Sequence, residues 1–264
     1  MVTCVCDIPY GPDPRHRGDV HRAASAHTAG ARIVPVLLIH GGGWNSLSKE
    51  SLAPIARIIA ERGHPVYSIN YRLLSQAAFP ACRDDCLAAA RFVLDGGLER
   101  HGFPRGTRII VCGASAGGHL AMLTGQGLGA PACAGIVSLA GPSRITIGRG
   151  DGIASVVSSP GFFASFFGTA TPDEAQIASA SPAAMVRASA PPLVCIHSRG
   201  DRLVPLAHSE EAVSAWHAKG VPARLLVFAG KGRQHGFWMD DDLRVRHPVP
   251  VLAKLLRRAL TLLA

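Results

Sequence analysis

The stretch RIIVCGASAGGHLA, Arg108 to Ala121, joins a short apolar run to a glycine-framed serine and then to small, helix-compatible residues. A continuous apolar run of this length reads as a strand covered on both faces, not as one with a wet side. Gly113-Ala114-Ser115-Ala116-Gly117 is a G-x-S-x-G motif lying between that strand and the following helix, which is the context the motif requires. The turn is sharp enough to force the central residue into strained backbone, and glycines two positions to either side leave room for it. The Ser115 hydroxyl is thereby lifted above the strand ends. Its backbone sits at a helix N-terminus, where unpaired N–H groups favour negative charge.

Working outward, the same alternation recurs. Apolar runs at Ile33 to Ile39, Pro65 to Ile69, Arg108 to Cys112, 133–139, 193–197 and 223–228 read as strands. Helical periodicity falls near 49–62, 83–95, 115–125, 207–219 and 248–263. The last of these carries Leu252, Leu255, Leu256, Ala259, Leu260 and Leu263 on one stripe. Strands alternating with helices imply a mostly parallel sheet with right-handed crossovers and helices on both faces. Ligands should then gather at the carboxyl ends of the strands. The 264 residues suffice for a single domain that buries ~70% of its surface. Residues 1–30 read as an N-terminal arm or edge hairpin. Residues 141–185, rich in Gly, Ser and Ala, are too long for a plain connection. They read either as a lid insertion or as an ordinary insertion packing its phenylalanines inward.

The residues that could carry chemistry follow the apolar runs. His40-Gly41-Gly42-Gly43-Trp44 comes after the first. Its glycines can turn backbone N–H groups toward a developing oxyanion without side-chain obstruction, and Gly42, Gly43 and Ala116 are the expected donors. His40 reads as an anchor of that loop, not as a base. A serine nucleophile needs a base, and the base an orienting acid. Asp201 is the first acid after the 193–197 run, and His235 lies in a glycine-flanked loop after the 223–228 run. Asp240, Asp241 and Asp242 form a solvated charge run and are weaker candidates for the acid. Trp44, Phe162, Phe163 and Trp238 are candidate walls of an apolar acyl or aryl pocket.

Charged residues make up 17% and hydrophobic ones 48%, which excludes a disordered or coiled-coil chain. The net charge of +9 raises nucleic acid as a partner, but the 27 basic residues are scattered, with no block of like charge, so none is expected. Seven cysteines show no CxxC pair and no zinc-like spacing with histidine, and no HExxH occurs, so neither a metal nor a cofactor is expected. Free thiols suit a reducing compartment. The first residues lack the apolar core of a signal peptide, and no apolar run is long enough to span a membrane. A cytoplasmic protein is expected, with its oligomeric state, a homodimer included, left open.

Taken together, HGGGW (40–44), Asn70-Tyr71-Arg72, Phe79-Pro80, Asp84-Asp85, GASAGGHLA (113–121), RGDRLVP (199–205) and HGF (235–237) resemble the α/β-hydrolase superfamily. Within it they are similar to hormone-sensitive-lipase-like esterases and the related bacterial feruloyl- and acetyl-esterase-like group. The resemblance implies the α/β-hydrolase fold and a serine carboxylic-ester hydrolase acting on a small-molecule ester. Ser115 would be the nucleophile, His235 the base and Asp201 its orienting acid, with Gly42, Gly43 and Ala116 as oxyanion donors. Two alternatives share the motifs: an arylformamidase-like amidase with the same triad, and a non-catalytic ligand-binding protein on the same scaffold.

Overall fold

The computed structural model describes residues 1–24, 33–106, 108–146, 160–228, 235–238 and 250–263. Strands β1 (Val2–Pro9), β2 (Arg17–Ala23), β3 (Val36–Ile39), β4 (Val66–Ile69), β5 (Ile109–Ala114), β6 (Cys133–Leu139), β7 (Leu193–Ser198) and β8 (Ala223–Phe228) form one sheet. Their order is β1-β2-β4-β3-β5-β6-β7-β8. The β1–β2 and β2–β4 pairs are antiparallel, and the pairs from β4 through β8 are parallel. Residues 2–23 thus make a hairpin along one edge. The parallel set points its carboxyl ends to one rim.

Side chains alternate across each strand, and both faces are apolar. Val36 and Leu38 join one core cluster, while Leu37 and Ile39 join the other. The first cluster is closed by α1 (Ala53–Glu61) and α7 (Pro250–Leu263), through Ile55, Ile59, Leu252, Leu256 and Leu260. The second is closed by α2 (Ala81–Leu94), α3 (Ala116–Leu128) and α6 (Ala207–Ala218), through Cys86, Val93, Leu120 and Trp216. Two covered faces explain why the strands read as unbroken apolar runs. Each fully buried Leu or Ile is worth ~1.5–3 kcal/mol over exposure, so this double layer fixes the rim on which the loops stand.

Two short helices, α4 (Pro160–Phe167) and α5 (Glu174–Ser179), occupy the described part of 141–185. Asp173 caps α5 with a reciprocal capping box to Gln176. The α4 phenylalanines point inward. Phe166 is fully buried and stacks on Phe79 at 5.1 Å, and the Phe79 N–H donates to the Phe166 carbonyl.

Candidate active site

β5 ends in the turn that carries Ser115. The backbone of Ser115 has φ +55° and ψ −122°, a strained conformation for a residue with a side chain. It is held there by its own N–H, which donates to the Leu139 carbonyl at 2.8 Å. A Cβ on Gly113 would come within 2.1 Å of the Gly117 oxygen, and one on Gly117 within 2.1 Å of the Ile39 oxygen. The turn therefore closes only with glycine at both positions. Ala116 opens α3, so its N–H has no intrahelical acceptor.

The loop after β3 lies against this turn. A Cβ on Gly41 would meet the Ala114 oxygen at 2.7 Å and the Ser115 Cβ at 3.1 Å. Gly42 and Gly43 have φ of +97° and +60°. The Gly41 carbonyl points into the core, accepting from His40 Nδ1 and, at 3.3 Å, from the Tyr71 hydroxyl. Because a trans peptide sets C=O and N–H on opposite sides, the Gly42 N–H faces away from that core. The Gly42 carbonyl accepts from Ser46 Oγ at 2.8 Å and from the Asn45 N–H, which turns the Gly43 N–H the other way. Among the described residues neither glycine N–H has an acceptor. His40 is fully buried and stacked on Tyr71, and Arg15 approaches its Nε2 at 3.4 Å. Burial pushes its pKa down to about 4, so it anchors the loop as a neutral ring.

His235 bridges the two remaining sequence candidates. The Ser115 hydroxyl lies 3.0 Å from Nε2, and the opposite ring nitrogen, Nδ1, donates to Asp201 Oδ2 at 2.7 Å. Asp201 sits in the turn after β7, where its Oδ1 accepts the N–H groups of Leu203 and Val204. Burial alone would raise this carboxyl's pKa. Hydrogen bonds from His197 and His235 outweigh it and hold the group below the usual carboxylate range. Asp240, Asp241 and Asp242 lie outside the described residues.

His197 was not anticipated from the sequence. It is the penultimate residue of β7, the strand that delivers Asp201. Its Nε2 stands 3.3 Å from Asp201 Oδ2 and 2.8 Å from the Val204 carbonyl. Facing two acceptors, that nitrogen carries the proton, and Nδ1 accepts from Ser209 Oγ at 2.7 Å. A histidine four residues before the acid, inside an apolar run, was the available signal.

A cavity of about 390 Å³ opens above Ser115. It is lined by Gly42, Gly43, Leu47, Leu203, His235 and Trp238, among others. Trp238 packs edge-on against His235, with ring centroids 5.5 Å apart. Trp44, Phe162 and Phe163 do not line this cavity, contrary to the expectation from their residue type. Trp44 is 1% exposed, and its Nε1 donates to His119 Nδ1 at 3.2 Å. His119 in turn donates from Nε2 to the Ala180 carbonyl at 2.7 Å, so neither ring has a free polar edge. Phe162 and Phe166 pack on the Trp44 ring, and Phe163 is buried beside Phe167. These aromatics gain more from closing the second core than from facing solvent.

Residues 24–216 match the BD-FAE family model. A probable isoprenylcysteine alpha-carbonyl methylesterase of Oryza sativa subsp. japonica is 28% identical over 259 residues, covering 91% of this chain and 59% of its own length. The carboxylesterase NlhH of Mycobacterium tuberculosis is 38% identical over 92 residues, 34% of this chain and 28% of its own. The chain thus spans about three-fifths of the rice relative, and a smaller part of the mycobacterial one aligns. The solved structure of esterase B from Lactobacillus Rhamnosis (HN001) superposes with a TM-score of 0.81 at 20% identity, covering 99% of this chain and 85% of that one. That likeness carries the fold, the α/β-hydrolase arrangement of a mostly parallel sheet with helices on both faces. With about three-quarters of its length matched by the family model, the chain belongs to the BD-FAE family.

Proposed function

We propose that this protein is a serine carboxylic-ester hydrolase working through an acyl-enzyme. The observation that carries the reading is the unbroken line from Ser115 Oγ through the two nitrogens of His235 to Asp201, beneath a glycine loop with two unengaged N–H groups. In the forward step Ser115 Oγ bonds to the ester carbonyl carbon while its proton passes to His235 Nε2. The carbonyl oxygen takes up the negative charge and is met by the N–H groups of Gly42, Gly43 and Ala116. As the C–O bond to the alcohol breaks, His235 returns the proton to the leaving oxygen. Water then repeats the sequence, releasing the acid and restoring the serine. Asp201 keeps the imidazole in the tautomer with Nδ1–H and stabilises its cation, without taking the proton itself. His197 is a positioning residue for Asp201.

The cavity lies near the small end of ligand pockets and is walled by Leu47, Leu52, Leu203 and Trp238. It suits a small or medium acyl or aryl ester. Among the described residues no helix is long and apolar enough to cross a membrane. All seven cysteines are free, which agrees with work in the reducing cytoplasm.

The test is side-by-side turnover of p-nitrophenyl esters of increasing chain length and of a matching anilide. A burst of p-nitrophenol equal to the enzyme concentration, strongest for short acyl chains, is the expected result. Anilide turnover exceeding that of the ester would favour the amidase reading. Tight ligand binding with no burst would favour a binding protein.

A further inference from the structure

The edge hairpin carries a second cluster of chemically capable side chains, across the sheet from Ser115. Cys4 stands directly opposite His21 in the β1–β2 register, so both project from the same face. Asp19 lies two residues before His21 and shares that face. The register shifts between Val5 and Ile8, where Asp7 takes φ +57° and its N–H donates to Asp19 Oδ1 at 2.9 Å. Cys6, two residues after Cys4, projects from the same face. The two sulfurs are 3.5 Å apart, and Cys4 Sγ is 3.9 Å from His21 Nε2. One ligand atom each from Cys4, Cys6 and Asp19 falls within a single 4.8 Å cluster, and His21 stands just outside it, beside Cys4.

We propose that the cluster of Cys4, Cys6 and Asp19 holds a thiophilic divalent metal, zinc foremost, with His21 turning in from beside Cys4 as the fourth ligand, and that the ion staples β1 to β2 at the edge of the sheet. Zinc held at ~2.3 Å from sulfur and ~2.0 Å from nitrogen in a tetrahedron sets its sulfurs ~3.8 Å apart and sulfur to nitrogen at ~3.5 Å. The Cys4–Cys6 and Cys4–His21 separations lie within a few tenths of an ångström of these, and closure requires the His21 ring to turn further toward Cys6 and Asp19. Thiolate and imidazole ligands select zinc over magnesium or calcium. Asp19 Oδ1 already accepts from the Asp7 N–H and Lys49 Nζ, which assigns Oδ2 as its ligand atom.

Charge favours a dication here. Asp7, Asp19 and Glu50 all contact the Lys49 ammonium, so three carboxylates face Lys49 and the nearby Arg57. Cys4 and Cys6 are exposed, giving the ion a path from solvent. On binding, each thiol gives its proton to the buffer as the sulfur–metal bond forms, with no change of oxidation state. The linear spacing C-x-C and D-x-H hides the site, because only the hairpin register brings the two pairs together. The cluster sits on β1 and β2, three to four strand positions from β5, ~14–19 Å, so its role is mechanical and separate from ester chemistry.

The test is titration of the reduced full-length protein with Co²⁺, followed by competition with Zn²⁺. The expected result is one equivalent bound, with a thiolate-to-cobalt charge-transfer band and tetrahedral d–d bands that zinc abolishes. The Cys4→Ser/Cys6→Ser variant should lose the band entirely and keep its ester turnover. His21→Gln should weaken binding at least ~10-fold, since even outer partners of metal ligands are worth that much. Hydrogen exchange in β1 of the wild type should slow on adding zinc. A reduced wild-type chain that gives no charge-transfer band overturns the proposal. So does a band that survives in the double cysteine variant, or affinity that His21→Gln leaves unchanged. These results stand whether or not the chain hydrolyses esters.

Discussion

Among the described residues, two serine–histidine–acid groups that share no residue, Ser115–His235–Asp201 and Ser143–His208–Glu211, are wired differently; a third, Ser209–His197–Asp201, is buried behind the first. In the first, Ser115 contacts one nitrogen of His235 and Asp201 contacts the other. A proton can therefore leave the hydroxyl for the ring while the acid holds the opposite side. In the second, Ser143 lies 3.1 Å from His208 Nδ1, but its hydroxyl donates directly to Glu211, and the Ser143 N–H also points at Nδ1. The acid thus competes for the hydroxyl instead of orienting the imidazole. Ser143 is fully buried, and burial pushes the His208 pKa down to about 4. Arg144 further pairs with Glu211. Serine, histidine and a carboxylate thus make a polar lock in one place and, in the function proposed, a poised nucleophile in the other. The difference lies in which ring nitrogen meets which partner, and in a strained turn beside unengaged N–H groups.

Substitutions at matching positions can break or sharpen that contrast. Ser115→Ala should lower kcat by ~10⁶, as removal of the nucleophile does in triad hydrolases, whereas Ser143→Ala should leave ester kcat at the wild-type level. Asp201→Asn should lower kcat by ~10⁴ with little change in KM, because the amide favours the wrong histidine tautomer. Glu211→Gln should change thermal stability instead and leave kcat alone. Equal losses at Asp201 and Glu211 would erase the distinction.

Gly42→Ala sets a Cβ 2.2 Å from the Ser46 oxygen at a backbone φ of +97°. Reshaping that loop should lower kcat by ~10²–10³, the usual effect of losing one oxyanion donor, while a phosphonate still labels Ser115 slowly. His197→Asn removes a hydrogen bond to a charged group. About 1.5–3 kcal/mol of support for Asp201 corresponds to a ~10–100-fold fall in kcat, with KM unchanged. Loss of fold without that kcat–KM split would make His197 merely structural.

The remaining effect is on stability against pH, not on rate. His40, His119 and His208 are each held neutral by burial, with pKa values lowered to about 4. The unfolded chain binds protons at these rings from about pH 6.5 downward, while the folded one does not until about pH 4. Stability should therefore fall with pH across that window, by up to ~1.4 kcal/mol per pH unit for each ring. Asp201 and Asp85 have lowered pKa values, so their contribution is complete above about pH 4 and is lost only below it. Urea midpoints at pH 7, 5.5 and 4.5 measure the first effect. A flat profile over that range would contradict the neutral-ring assignment.

The architecture was legible because strands covered on both faces leave unbroken apolar runs, and four of those runs end at the loops that carry the candidate site residues. Ser115, Asp201 and His235 could be chosen from strand ends alone, and the structure brings all three into hydrogen-bond range. Helices α4 and α5 were not legible in the same way. Their short Gly-, Ser-, Ala- and Phe-rich segments carry no helical period, although Asp173 with Gln176 is a readable capping pair. Trp44, Phe162 and Phe163 show the limit of residue type. An aromatic near a site serves core or pocket equally, and here His119 supplies the buried acceptor that draws Trp44 inward. The Cys4–His21 pairing depends on a strand register that linear spacing does not encode.

The most direct test of the central claim is to react the protein with a short-chain p-nitrophenyl alkylphosphonate and map the adduct by peptide mass spectrometry. A single covalent adduct on Ser115, formed with complete loss of ester turnover and absent from Ser115→Ala, is the result this account predicts. An adduct on Ser143 or another residue, or full turnover with Ser115 modified, would contradict it.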